Sequence, residues 1–284
     1  MKHYVFKDRV QTHLGECYNT SGKDGIYVYR HTEVSHKHIL PIKNDTKQAQ
    51  WEAIKQFALL RKTKELALKN EHIDKHFVKH LHSKAHHLTS SQVMCYNFFR
   101  PLIDEPELLK SVFQQWCPIP TADQLTAKFE YLADKEEKTN YDFYMGNNNV
   151  HIYCEIKYTE DDFGKKTGAK DFEQRVKFYE NLLQVTSKQL WIKTDIKDCL
   201  THHYQLFRNA LSAKGPNDYV FFICPKDRED LKSSYERFAE VYLSTYGRQH
   251  VQFLTWEDLV NRARLIFEKN QTFFDDFEKM YLKW

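Results

Sequence analysis

Three charged side chains interrupt a stretch that otherwise alternates like a buried β-hairpin. Asp142 lies in one predicted strand, and Glu155 and Lys157 lie two residues apart in the next, beyond the turn signal Gly-Asn-Asn-Asn at residues 146–149. Side chains alternate between the two faces of a strand, so Glu155 and Lys157 share a face. The parity of a hairpin centred on this turn gives Asp142 the same face, and we therefore expect the two carboxylates to be neighbours.

The predicted register indicates what these residues can do. It pairs Met145 with Val150. It also puts Asp142 opposite Tyr153, which leaves Glu155 diagonal to Asp142 and within reach of the same bound ion. Neighbouring carboxylates repel unless a cation joins them, and hard oxygen ligands suit Mg²⁺ or Mn²⁺. A lysine on the same face can stabilise the charge that develops on a phosphate or an attacking water, so the set predicts metal-assisted hydrolysis of a phosphodiester bond.

An acid and a lysine two residues apart also have a simpler explanation, which is the solvated face of an amphipathic sheet. That explanation accounts for Glu155 and Lys157, but it does not account for an acid on the preceding strand at the matching parity. Asp142 therefore favours a catalytic site.

The composition of the whole chain allows a large folded core. Of its 284 residues, 41% are hydrophobic and 29% are charged, which is far from the composition of a disordered chain. The first residues lack the apolar run of a signal peptide, and no apolar stretch is long enough to span a bilayer, so we expect a cytoplasmic protein without a membrane partner. The formal net charge of +3 permits an anionic partner but does not identify one.

The elements that position the three charges follow a helix-first order. We predict short strands and turns in the first forty residues, including 25–29 and 38–41, and then helices at 46–69, 73–81, 90–99 and 105–116. Strands are predicted at 125–132, 140–145, 150–158, 189–192, 219–224 and 250–254, with helices at 169–184, 198–213 and 228–245 between the later ones and further helices up to the C-terminus. This order predicts an α/β core with a helical N-terminal portion.

Several segments resemble a known family. Asp142, followed by Glu155-Ile156-Lys157 on the next strand, resembles the motif of the PD-(D/E)XK nuclease superfamily, which has the restriction-endonuclease-like fold. The segments SSQVMCYNFF, YDFYM, EIKYTEDDFG and HYQLFRNAL are similar to those of a bacterial branch of restriction endonucleases within it. The resemblance covers about residues 90–254. It implies an αβββαβ core with a mixed central sheet flanked by helices, an order that matches the elements predicted above.

The resemblance also implies a function and roles for individual residues. It implies a Mg²⁺-dependent endonuclease, in which Mn²⁺ can substitute, that cleaves double-stranded DNA in restriction or defence. Asp142 and Glu155 would bind the ion, and Lys157 would serve the nucleophile. The sequence departs from the motif at Tyr141, where the family pattern has proline.

A further acid is expected near the metal, because many members of the superfamily contribute one from the helix before the sheet. The helix predicted over residues 90–99 has none, which leaves Gln92 or Glu130 as substitutes. We predict that Glu130, on the first strand, is the better metal ligand, although a surface position explains it equally well.

Polar residues after the hairpin are candidates for binding the nucleic acid. Gln205, Arg208 and Asn209 lie on the helix predicted over 198–213, where Gln205 and Arg208 can act on a phosphate near the metal. Lys165 and Lys166 follow the E-x-K strand and can bind the phosphate backbone. For both sets a plain solvated face is the alternative.

We divide the chain into residues 1–88, with Lys- and His-rich helices that are candidates for DNA contact, and a nuclease domain over residues 89–284. A repair or structure-specific nuclease is the alternative within the same class. The alternative of another class is a non-catalytic nucleic-acid-binding module on a nuclease fold. The sequence leaves open whether the chain acts alone or as a homodimer.

Overall fold

The computed structural model describes residues 3–19, 25–29, 32–42, 44–69, 71–120, 124–135, 137–164, 172–184 and 188–284. Lys165 and Lys166, the lysines predicted to bind the phosphate backbone, lie outside these residues.

Helices and strands come in the predicted broad order. The helices are α1 (His3–Asn19), α2 (Lys47–Phe57), α3 (Arg61–Ala67), α4 (Glu71–Lys79), α5 (Ser91–Phe99), α6 (Pro106–Phe113), α7 (Phe172–Gln184), α8 (Ile196–His202), α9 (Tyr204–Ala210), α10 (Glu229–Tyr242), α11 (Thr245–His250), α12 (Trp256–Ile266) and α13 (Gln271–Tyr281). The strands are β1 (Gly25–Tyr29), β2 (Thr32–His36), β3 (Thr126–Leu132), β4 (Asn140–Gly146), β5 (His151–Ile156), β6 (Asp218–Cys224) and β7 (Val251–Thr255). Short 3₁₀ turns cover Lys188–Leu190 and Glu268–Asn270.

The centre of the fold is a five-stranded mixed sheet in the order β3-β4-β5-β6-β7. The first three strands form an antiparallel meander, and β6 and β7 are parallel to β5. A parallel neighbour requires a crossover connection, which α7, α8 and α9 supply between β5 and β6. Every residue of β6 is buried, as predicted for its apolar run. The predicted α/β class with helices flanking a mixed sheet is confirmed.

Each face of the sheet carries its own apolar cluster. The cluster on the side of α5 includes Phe99, Phe143 and Ile152, and we call it the α5-side cluster. The cluster on the other side includes Tyr153 and Phe207, and we call it the α9-side cluster. All nine residues of α5 are buried, so this helix lies at the centre of the α5-side cluster.

The N-terminal portion packs against the remainder of the chain. Phe6, Val10 and Leu14 of α1 are fully buried in the α5-side cluster, and the Phe6 ring contacts Tyr158 edge to face at 6.2 Å. The division of the chain at residue 88 stays a prediction, but side chains from both sides of it share one apolar cluster. No helix in the described part of the chain is long and apolar enough to cross a bilayer.

Some predicted elements were wrong. Residues 3–19 form a helix where strands and turns were predicted, and its fully buried residues Phe6, Val10 and Leu14 recur at every fourth position, which is helical spacing. The strand predicted over 189–192 is a 3₁₀ turn followed by a single bridge from Trp191. The helix predicted over 198–213 is broken into α8 and α9 at His203, whose φ of −137° is not helical. Short apolar runs in a sequence do not distinguish a strand from a helical turn, or one long helix from two short ones.

Candidate active site

The hairpin register differs from the predicted one by two residues. Tyr153 pairs with Tyr144 rather than with Asp142. The reason is that the turn extends to Val150: the Asn147 side-chain oxygen accepts the Val150 N–H at 2.9 Å, and the Asn147 N–H donates to the Val150 carbonyl at 2.9 Å. A shift of two residues keeps every side chain on its face, so the predicted grouping of the two acids is not disturbed.

The site lies where β4 and β5 stop pairing. The last pair of their ladder is Phe143 with Cys154. One residue earlier, the Asp142 Oδ2 atom accepts the Ile156 N–H at 2.7 Å, so a side chain replaces the next backbone partner. Tyr141 packs in the α9-side cluster, although strict alternation from Phe143 would put both in the α5-side cluster. The change of face at Asp142 fixes its carboxylate beside the backbone of the E-x-K segment.

β3 changes face at the same level of the sheet. Phe129 packs in the α5-side cluster and Tyr131 against the α9-side cluster, and Glu130 between them has a φ of +50°. A positive φ at a non-glycine residue is uncommon and indicates a local constraint. The carboxylate of Glu130 is held by two amides at 2.6 Å, with Gln92 of α5 donating to Oε1 and Asn140 of β4 donating to Oε2.

Glu155 is held by α9, the last helix of the crossover. The Gln205 amide donates to Oε1 at 2.5 Å, and the Asn209 amide donates to Oε2 at 3.0 Å. The two donors are four residues apart on α9, which puts them on one helix face towards the sheet. The Lys157 Nζ atom lies 3.5 Å from Glu155 Oε1, so the lysine and this acid form a close ion pair. Glu155 is 6% exposed and Lys157 is 9% exposed.

The charge of Glu155 perturbs the two neighbouring carboxylates, Asp142 and Glu130. Burial raises the pKa of Asp142 well above its usual range, and the negative charges of Glu155 and Glu130 raise it further. Burial also raises the pKa of Glu130 to about 7, and the charge of Glu155 adds to this shift, while the hydrogen bonds from Gln92 and Asn140 oppose it. Acids this close in a poorly solvated space bind either protons or a cation.

Lys157 remains a cation in this environment. Burial by itself would lower the pKa of Lys157, but the carboxylates of Glu155, Glu160 and Asp142 outweigh burial, and the pKa lies above its ordinary value. The ammonium therefore keeps its positive charge at neutral pH.

Arg208 lies at the edge of this group. Its Nε atom donates to the Asn209 side-chain oxygen at 3.1 Å, and its guanidinium lies over the Tyr204 ring at 5.4 Å. Burial would lower the pKa of Arg208, but the carboxylates of Glu155 and Glu137 raise it above its ordinary value. Its side chain is 18% exposed.

The mixed sheet flanked by helices is the fold expected of a restriction-endonuclease-like family, and a comparison with protein families supports that relationship. The family model described as "Restriction Endonuclease associating with ARP" matches residues 26–282. The chain belongs to this family. The restriction-endonuclease-like relationship inferred from the motifs is thereby confirmed, and the match to the restriction endonuclease associating with ARP family extends beyond residues 90–254 into the N-terminal portion. Comparisons with curated proteins and with solved structures gave no match.

The structure brings Asp142, Glu130, Glu155, Lys157 and Gln205 into one group, and their roles stay predictions. Other positions differ from expectation. Asn209, predicted to contact nucleic acid, has no exposed surface and directs its amide at Glu155 instead. Asn140, which holds Glu130, was missed, because an asparagine at the start of a strand is an ordinary turn residue and carries no separate signal.

Proposed function

We propose that this chain is a Mg²⁺-dependent endonuclease that hydrolyses phosphodiester bonds of double-stranded DNA in restriction or defence. Membership of a restriction endonuclease family indicates the nuclease class. The observation that carries the proposal is the meeting of Asp142, Glu155 and Lys157 where β4 and β5 diverge.

The donor set fits a hard divalent cation. Mg²⁺ in proteins is commonly bound by one or two carboxylates and completed by water and phosphate oxygens. In the described residues no three His, Cys, Asp or Glu side chains form a ready metal-ligand group, so we propose Asp142 and Glu155 as the protein ligands. Each of their oxygens has two lone pairs and can bind a metal while it accepts an amide hydrogen bond. Glu130 adds negative charge beside them but does not complete a three-ligand group with them in the described residues, so its role as a ligand stays a prediction. Mn²⁺ can replace Mg²⁺ at such a site.

The protein groups have separate roles in this proposal. The bound ion would supply Lewis-acid polarisation of the phosphate and a water of lowered pKa. Lys157 holds a positive charge at the site and stabilises negative charge on the attacking water and at phosphorus. Gln205 and Asn209 fix the Glu155 carboxylate through both of its oxygens, and we assign them positioning roles. Arg208 is proposed to bind a neighbouring phosphate.

A non-catalytic DNA-binding module has less support. Burying carboxylates costs free energy of folding, and ionised carboxylates repel a phosphate backbone. A surface that only binds DNA gains nothing from Asp142, Glu130 and Glu155 at its centre. A metal-dependent reaction does gain from them.

Cleavage of unmethylated supercoiled plasmid tests the proposal. We expect nicked and linear DNA with MgCl₂ and none with EDTA, and we expect Glu155→Ala to be inactive under both conditions. Lys197→Met is the matched control, because Lys197 is exposed and pairs with Glu173 on the surface. Absence of Mg²⁺-dependent cleavage by the wild type, or wild-type cleavage by Glu155→Ala, would contradict the proposal. The same assay with an RNA duplex tests the substrate class, since preferential cleavage of RNA would contradict the assignment to DNA.

A further inference from the structure

A second buried carboxylate lies beside the candidate active site. The side chain of Glu137, in the segment that joins β3 to β4, is only 4% exposed. The hydroxyl groups of Tyr179 and Tyr204 donate to its Oε1 atom, and the Thr139 hydroxyl donates to Oε2. The Arg208 Nε atom lies 3.8 Å from Oε2. Three hydroxyl donors and one guanidinium on a single carboxylate are more than an ordinary connecting segment requires.

The charge of Glu137 has Arg208 as its cationic partner. A carboxylate removed from water is costly unless it is paired and hydrogen-bonded, and both conditions are met here. The hydroxyl groups fix the carboxylate, because they come from three separate parts of the chain: Tyr179 lies on α7, Tyr204 on α9 and Thr139 beside β4. Glu137 is therefore a rigid anchor rather than a mobile surface acid.

Arg208 is in turn held on several sides. Its Nε atom faces Glu137 Oε2 and donates to the Asn209 side-chain oxygen, while the Tyr204 ring lies under its guanidinium. A guanidinium has five N–H donors in a fixed fork, so these Nε contacts leave donors for a phosphate. Asn209, the residue after Arg208, donates to Glu155, which is a proposed metal ligand. The anchored arginine is therefore next in sequence to a residue that contacts the candidate metal site.

We infer that Glu137 is a positioning residue, which holds the Arg208 guanidinium in place to bind a DNA phosphate next to the bond that is cleaved. This inference rests on the proposed function. A free arginine side chain loses rotamer freedom when it binds, and an arginine that is already held avoids this loss. Glu137 itself contacts neither the DNA nor the metal.

The test is a double-mutant cycle on kcat/KM for cleavage. Glu137→Gln keeps the shape of the side chain and removes the charge that holds Arg208, so we expect kcat/KM to fall about tenfold to a hundredfold. In an Arg208→Ala background, Glu137→Gln should cause no further loss, because the group it positions is gone. A purely structural role would lower activity by the same factor in both backgrounds, and that additive result would overturn the inference. Glu173→Gln, which removes an exposed acid paired with Lys197, is the matched control and should match the wild type.

DNA affinity separates failure of the inference from failure of the proposed function. The same cycle is measured by binding of a labelled duplex in EDTA at fixed salt, where no cleavage is required. Coupled losses of affinity support the inference even if the wild type does not cleave DNA. Independent losses, or no loss, overturn it even if the wild type is an active nuclease. If Glu137→Gln fails to fold, Tyr179→Phe removes one hydroxyl from the anchor, and we expect a smaller loss that is again absent in the Arg208→Ala background.

Discussion

Glu130 should make the stability of the metal-free protein fall as the pH rises. Its pKa is raised from 4.5 to about 7, mainly because its carboxylate is buried. An acid whose pKa is raised by folding binds a proton more tightly in the native state. Its contribution to stability is therefore complete below pH 4.5 and is lost as the pH rises through 7. A pKa change from 4.5 to about 7 corresponds to a loss of about 3 kcal/mol of free energy of unfolding.

The assay is urea unfolding in EDTA at several pH values between 5 and 8, for the wild type and for Glu130→Gln. The glutamine keeps the side-chain shape and cannot ionise, so the wild type should lose about 2.5 kcal/mol relative to the variant across this range. Burial lowers the pKa of His38 to about 4 and that of His87 to about 3. These two histidines make the free energy of unfolding rise with pH, which is opposite to the effect of Glu130. Both proteins contain them, so their effect cancels when the free energies of the wild type and the variant are subtracted. If that difference is the same at pH 5 and pH 8, Glu130 is not the buried, proton-binding acid described here.

The other predictions concern the metal, the positioning amides and the buried charges. Glu155→Ala should abolish Mn²⁺ binding in calorimetry, and wild-type affinity should rise with pH as the acids lose their protons; unchanged binding in the variant would refute the ligand assignment. Asn209→Leu should leave Glu155 with one amide donor and slow cleavage at saturating DNA about tenfold, measured under single turnover, and an unaltered rate would remove its positioning role. Arg228→Met should destabilise the fold by about 2–3 kcal/mol in urea unfolding, because the fully buried Arg228 binds Asp230 through two nitrogens and donates to the Tyr158 carbonyl, which would lose its partner. A cost below about 1 kcal/mol would show that the pair contributes no more than an exposed one.

The faces of the hairpin could be predicted from the sequence, because side-chain alternation depends only on parity. The register could not, since it depended on the Asn147 side chain, which adds Val150 to the turn. The change of face at Glu130 and Asp142 was also not predictable, because it arises from a positive φ and from a side chain that replaces a backbone partner. Neither the positive φ nor the side-chain hydrogen bond changes the hydrophobic periodicity of the sequence.

The helix that supports the site shows a similar limit. The sequence predicts a polar helical stripe that includes Gln205 and Arg208, with Asn209 beside it, and such a stripe is equally typical of a solvated face and of a face directed at a buried acid. Only packing against β5 distinguishes the two, and it directs both amides at Glu155. Glu137 was missed because its partners Tyr179 and Arg208 are distant in sequence, so that only the folded chain brings them together.

Lys157 and the acids beside it are proposed to form the reactive centre. The most direct measurement is the single-turnover cleavage rate of Lys157→Met at saturating DNA and Mg²⁺, together with its DNA affinity at fixed salt. Because the ammonium acts mainly on charge that develops in the transition state, we predict a loss of about a hundredfold to a thousandfold in rate. DNA affinity should stay close to that of the wild type, since other basic residues supply most phosphate contacts. Cleavage by Lys157→Met at the wild-type rate, with Arg208→Ala inactive, would contradict the account and place the reactive centre elsewhere.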